Sequence, residues 1–152
     1  MKFPWQKQKE FFTAEEQQQL VAAIQKAEMR TSGEVRLFIE GKCRFVNAVD
    51  RAQEIFLKLQ MDKTELRNAT LLYIAVDDKQ AAVFGDEGIH QKVGADYWKQ
   101  VVTNMLLQFK QDKLTDGICN AIAQLGEALV NYFPYDKDTD KNELPDEIIF
   151  GR

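Results

Sequence analysis

Histidine, cysteine and proline are scarce in this chain: one, two and three residues respectively out of 152. The two cysteines, Cys43 and Cys119, make neither a CxxC pair nor a disulfide framework, so reduced, mostly buried thiols in a cytoplasmic protein are the expectation. Long apolar runs are missing too, and nothing approaches the roughly 20 residues of a membrane span. The opening "MKFPWQKQKEFF" lacks the apolar stretch and small-residue cleavage site of a secretory signal. Basic excess is also absent: 20 Lys and Arg stand against 24 Asp and Glu, for a net charge of -4. That balance argues against nucleic acid or anionic lipid as the main partner, because both select basic surfaces. No GxSxG elbow, Walker loop or HExxH helix occurs, and no strong catalytic signature replaces them.

What is present suffices for one ordinary domain. At 45% hydrophobic residues, a chain of this length buries roughly two-thirds of its unfolded surface and needs no disulfide or metal staple. Thr13, with Glu16 three residues on, makes a capping box; Leu20, Val21, Ile24 and Ala27 follow at helical spacing until Ser32-Gly33. "EVRLFIE" alternates Val35, Leu37 and Ile39 against Glu34, Arg36 and Phe38, the period of a strand. "NAVDRAQEIFLKLQ" returns to helical period from a cap at Asn47, and the unbroken apolar run "ATLLYIAV" suits a strand covered on both faces. Strand, helix, strand is a βαβ unit with parallel strands and a right-handed crossover. "DDKQ" is too short for a crossover, so "AAVFG" folds back as an antiparallel hairpin partner. Two longer helices follow, in "DYWKQVVTNMLLQFK" and "TDGICNAIAQLGEALVNYF". The expectation is a three-layer α/β/α sandwich around a small mixed sheet, a single domain over 1–135, with 136–152 an acidic, mostly irregular tail. Leu71, Ile74, Leu106 and Ile122 are expected in the core, as are Tyr97 and Trp98.

This topology decides which polar residues converge. The parallel strands begin at one end of the sheet, and the hairpin's return strand finishes there. Glu34 begins the first strand, Arg67 and Asn68 precede the second, and "GDEGIH", Gly85 to His90, follows the third. Glu40, Asp77 and Asp78 gather at the opposite end. Asp86, Glu87, Asn68 and Glu34, joined by Asp116 at the start of the last helix, are the expected oxygen ligands of a hard divalent cation, with the glycines lending the loop its freedom. Calcium or magnesium is favoured over zinc, because the cysteines do not cluster and histidine is single. A plainer alternative stays open: Asp86 caps a short helix, Glu87 is a solvated first-turn carboxylate, and Gly85 and Gly88 only permit turns. His90 lacks a nucleophile partner and suits a surface or cap position.

Taken together, "TSGEVRLFIE", "ELRNATLLYIAVDDKQAAVFGDEGIHQKVG", "YWKQVVTNMLLQFK", "LTDGICNAIAQLGEALVNYFPY" and "NELPDEIIFG" resemble the TPM domain family, in order and over nearly the whole chain. The likeness is to its short bacterial members, and it implies the same α/β/α sandwich. Plant members are associated with acid phosphatase activity and calcium binding, others with repair or assembly of membrane complexes or with receptor association. The family's Asp-Asn-Gly motif aligns with Arg67-Asn68-Ala69, so a cation replaces a carboxylate, while the glycine-acidic motif is kept as Gly85-Asp86-Glu87-Gly88. Arg67 then pairs with Asp86 or Glu87, or contacts a phosphate. The resemblance implies one of two functions. The first is a non-enzymatic, calcium-binding interaction or assembly module, with a protein partner in a membrane-associated complex. The second is a metal-dependent acid phosphatase in which Asp86, Glu87 and Asn68 hold the cation and Arg67 the phosphate. With Arg67 present, cation affinity is expected near the weak range of roughly 10⁻⁴–10⁻³ M.

Overall fold

Thr13 closes its capping box: its hydroxyl accepts from the Glu16 N–H at 3.1 Å, and Glu16 accepts from the Thr13 N–H at 2.9 Å. Helix α1 (Ala14–Glu28) starts there in the computed structural model, which describes residues 11–44, 47–135 and 148–151. Strand β1 (Glu34–Glu40) leads to helix α2 (Ala48–Lys58), capped by Asn47, whose side chain accepts from the Asp50 N–H at 2.9 Å. Strands β2 (Ala69–Ala75) and β3 (Gln80–Gly85) form the hairpin, and helices α3 (Glu87–Val93), α4 (Ala95–Phe109) and α5 (Leu114–Tyr132) follow. A last short strand, β4, spans Ile148–Phe150.

The sheet order is β3-β2-β1-β4. β1 lies parallel to β2, with Glu34 beside Ala69 and Glu40 beside Ala75, while β3 returns antiparallel with Gly85 beside Thr70. Every residue of β1 and β2 is buried, because helices cover both faces. Val35, Leu37, Ile39, Leu72, Ile74 and Val83 pack on one face against α1, α4 and α5, where Leu20, Trp98, Met105, Ile122 and Leu125 meet them. On the other face Phe38, Leu71, Tyr73 and Ala82 pack against Ala52, Ile55 and Phe56 of α2, with Met61 beyond it. The architecture is the expected three-layer α/β/α sandwich. Among the described residues no helix is long and apolar enough to cross a membrane.

Three placements differ from expectation. Leu106 is half-buried, because Trp98, Val101 and Met105 occupy the inward face of α4 and turn Leu106 toward its flank. Cys43 and Cys119 form no disulfide and are half-buried rather than enclosed. The chain's end also returns to the sheet: Ile148, Ile149 and Phe150 run parallel beside Leu37, Phe38 and Ile39, and the Gly151 N–H donates to the Ile39 carbonyl at 2.7 Å. That strand satisfies the open edge of β1. The acidic run 136–147, expected to be irregular, lies outside the described residues.

Candidate functional site

The loop from Leu66 to Asn68 and the loop after β3 are tied together by backbone. The Asp86 N–H donates to the Ala69 carbonyl at 2.9 Å, and the Gly88 N–H donates to the Arg67 carbonyl at 2.8 Å. Gly88 is required by that approach: a Cβ there would stand 2.3 Å from the Leu66 oxygen and 2.5 Å from the Arg67 oxygen, both main chain. Arg67 itself sits at φ +52°, a left-handed conformation that Asp and Asn adopt more readily than Arg.

From that backbone the guanidinium reaches Asp86 with a two-pronged bond. Nε donates to Oδ2 at 2.6 Å, Nη2 donates to Oδ1 at 2.8 Å, and Nη1 reaches Glu87 Oε1 at 3.2 Å. Asp86 is buried and also caps α3, accepting the Glu87 N–H at 2.8 Å. Planar bidentate pairing of this kind is among the stronger ionic contacts in proteins. The hydrogen bonds to Asp86 hold the Arg67 guanidinium above its ordinary pKa, so it stays charged. His90, exposed on α3, accepts at Nδ1 from the Trp98 indole N–H at 2.9 Å. A cavity of about 490 Å³ adjoins this cluster, and Arg67, Asp86, Glu87, His90 and Trp98 are all in its wall.

The predicted ligand set divides. Asp86, Glu87 and Arg67 come together. Asn68, adjacent in sequence, turns the other way, its amide 3.5 Å from the Ser32 hydroxyl and its body buried. Glu34 is buried at the head of β1, on the α2 side of the sheet beside Ala69. Asp116 is at the opposite end of the molecule, a correction to the expected convergence. Thr115 beside it bonds Glu16 at the start of α1, while Leu129, near the other end of α5, packs against Gly33 at the start of β1. The 13 residues from Asp116 to Leu129 span roughly 20 Å of helix. Among the described residues, no group of three or more His, Cys, Asp or Glu is close enough to hold a metal ion.

A second polar cluster occupies the other end of the sheet, where Glu40 is expected; its partners there, Arg51 and Tyr73, are what sequence reasoning missed. Glu40, 2% exposed, accepts Arg51 Nε at 2.8 Å and Nη2 at 2.9 Å, and it also accepts the Tyr73 hydroxyl. Burial pushes the Glu40 carboxyl up, but the Arg51 and Tyr73 hydrogen bonds and the Arg51 charge outweigh it and leave the pKa lowered. Burial and the Glu40 hydrogen bond drive the Tyr73 phenol well above its ordinary value. The available signal was a carboxylate closing an otherwise apolar strand, with one arginine near the start of the following helix.

The TPM domain family matches residues 6–128. The chain belongs to the TPM domain family. The BA42 protein of the psychrophilic bacterium Bizionia argentinensis, solved by NMR, is 43% identical with a TM-score of 0.85; the alignment covers 95% of this chain and 99% of that one. The N-terminal domain of the cg2496 protein of Corynebacterium glutamicum shares the fold at 10% identity, with a TM-score of 0.61 over 78% of this chain and 74% of that one. Among curated proteins no sequence matches significantly.

Proposed function

We propose that this TPM domain is a non-enzymatic protein-interaction and assembly module whose response to divalent cations runs through Arg67. One observation carries the reading: the carboxylate best placed to hold a cation is already neutralised from within the chain. Calcium or magnesium must displace a tethered guanidinium, a competitor at high effective concentration, so the site binds weakly. The same guanidinium is committed to Asp86 and Glu87 and is not free to clamp a phosphate, which puts the acid phosphatase reading second. A protein partner in a membrane-associated complex, and action in the cytoplasm, complete the proposal.

Amide-resolved NMR titration with calcium and magnesium tests it. In the wild-type chain, shifts around Gly85–Gly88 should need cation above about 1 mM, in the weak range of such sites. Arg67→Asp removes the competitor and adds a carboxylate, and should bring the same shifts below that concentration. A phosphate-ester assay in calcium, magnesium and chelator should show no turnover. Turnover that disappears in Glu87→Ala would overturn the module reading in favour of the phosphatase.

A further inference from the structure

The cluster of Arg67 and Asp86 is at the Gly85 end of β3. A separate cavity, of about 280 Å³, opens beside the other end, between α4 and the turn of the β2–β3 hairpin, and it shares no lining residue with the larger one. α4 gives it one stripe at helical spacing, Thr103, Leu106, Leu107 and Lys110, with Phe109 beside them; the hairpin turn gives it Lys79. These side chains are left over from the core. Trp98, Val101 and Met105 take the buried face of α4, and Leu107 stays 52% exposed.

The wall has a charged end and an apolar middle. Trp98, near the α4 start, lies against Gly85 at the end of β3. From Gly85 back to Lys79 the strand covers about 20 Å, and from Trp98 to Lys110 the helix rises about 18 Å, so the two lysines meet at one end of the cavity. Both are exposed, and among the described residues neither has an ion-pair partner. The acids nearest Lys79 are engaged elsewhere: Asp78 accepts the Cys43 N–H at 2.7 Å, and Asp77 Oδ2 lies against Gly41, both in the loop after β1. Asp112, two residues past Lys110, is not in the cavity wall. The C-terminus of α4 adds about half a negative charge, which two ammonium groups outweigh.

We propose that this cavity binds a small amphipathic carboxylate, a free acyl or aryl acid. Its carboxylate sits between Lys79 and Lys110, and its tail runs along Leu106 and Leu107 toward Thr103. Exposed ammonium groups hold a carboxylate only weakly by charge, and burial of the tail against the leucines supplies the rest. A short inorganic anion meets the charge without the apolar contact, and a hydrocarbon amine meets like charge. A cavity of about 150 Å³ already holds benzene, so about 280 Å³ closes around one short chain or ring rather than a run of residues. The site is separate from the Arg67–Asp86 cluster, so the cation reading and this one can fail independently.

The test titrates the full ¹⁵N-labelled chain with octanoate, octylammonium and acetate. Octanoate should shift the amides of Lys79, Leu106, Leu107 and Lys110 with a Kd of about 1 mM, the scale of a small ligand with few contacts. Octylammonium should bind at least about tenfold more weakly, and acetate should leave those amides in place at the same concentration. Lys79→Ala and Lys110→Ala, at exposed positions that leave the fold intact, should each weaken octanoate by about two- to fivefold. Equal binding of octanoate and octylammonium would reduce the cavity to an apolar patch and overturn the proposal. Shifts confined to other residues, shifts that begin only where octanoate self-associates, or octanoate binding indifferent to both lysine variants would overturn it as well. A peptide with a free C-terminal leucine that binds the same amides more tightly than octanoate would replace the free acid with a partner protein's terminus.

Discussion

Replacing Glu40 by Gln separates charge from shape at the buried end of β1. Gln keeps the side-chain length and an oxygen for the Tyr73 hydroxyl, but gives Arg51 a neutral partner. Breaking a fully buried ion pair costs about 3–5 kcal/mol, because the remaining charge is stranded. Here Arg51 keeps 21% of its side-chain surface in water and a second carboxylate, Glu54, at 2.6 Å. Those two outlets reduce the loss to about 2 kcal/mol. For a chain of 152 residues, each kcal/mol is worth roughly 2–4 °C, so the variant should melt about 4–8 °C lower at pH 7. The pH dependence has a definite sign. The folded-state pKa of Glu40 is lowered from 4.5, so the charge contributes stability above 4.5 that is lost as pH falls through the lower folded value. Wild type and Glu40→Gln should therefore converge as both are acidified below that window. Thermal melts by circular dichroism across the pH range read this directly. A difference at pH 7 within error, or one that persists undiminished in acid, refutes the argument that the Glu40 charge stabilises the fold.

Other expectations follow from the same packing. Ile74→Ala, at a fully buried site in the main core, should cost about 2–5 kcal/mol in urea unfolding, whereas Leu106→Ala at its half-buried site should cost about 1 kcal/mol. Gly88→Ala drives a Cβ into the Leu66 and Arg67 carbonyls, which cannot swing aside, and should cost about 1–3 kcal/mol while displacing the Arg67–Asp86 pair in NMR spectra. Truncation after Tyr135 removes β4 and uncovers the edge of β1, so it should lower the melting temperature; the apolar periodicity by itself, complete at Phe133, predicts no change. An unchanged melt would show that β4 contributes nothing.

Local pattern settled much of this protein. The alternation in "EVRLFIE", the helical period after Asn47 and the apolar run of β2 set the element types, because periods of two and 3.6 state which residues share a face. The length of "DDKQ" settled the antiparallel return, since so short a link spans only a hairpin. Together these put Asp86 and Glu87 at the same end of the sheet as Glu34 and Asn68. Side-chain partnership was another matter. Periodicity says that a face is apolar, not what lies against it, and Glu40 and Tyr73 are 33 residues apart in sequence. Asp116 is distant from the loop because α5 runs from the α1 start toward the β1 start, a direction that tertiary packing alone decides. Arg67 faces Asp86 and Asn68 faces Ser32 because the backbone at Arg67 turns left-handed, sending neighbouring side chains to different sites. Even β4 belongs to this class: three apolar residues carry no period of their own, and they become a strand only where β1 offers an unpaired edge.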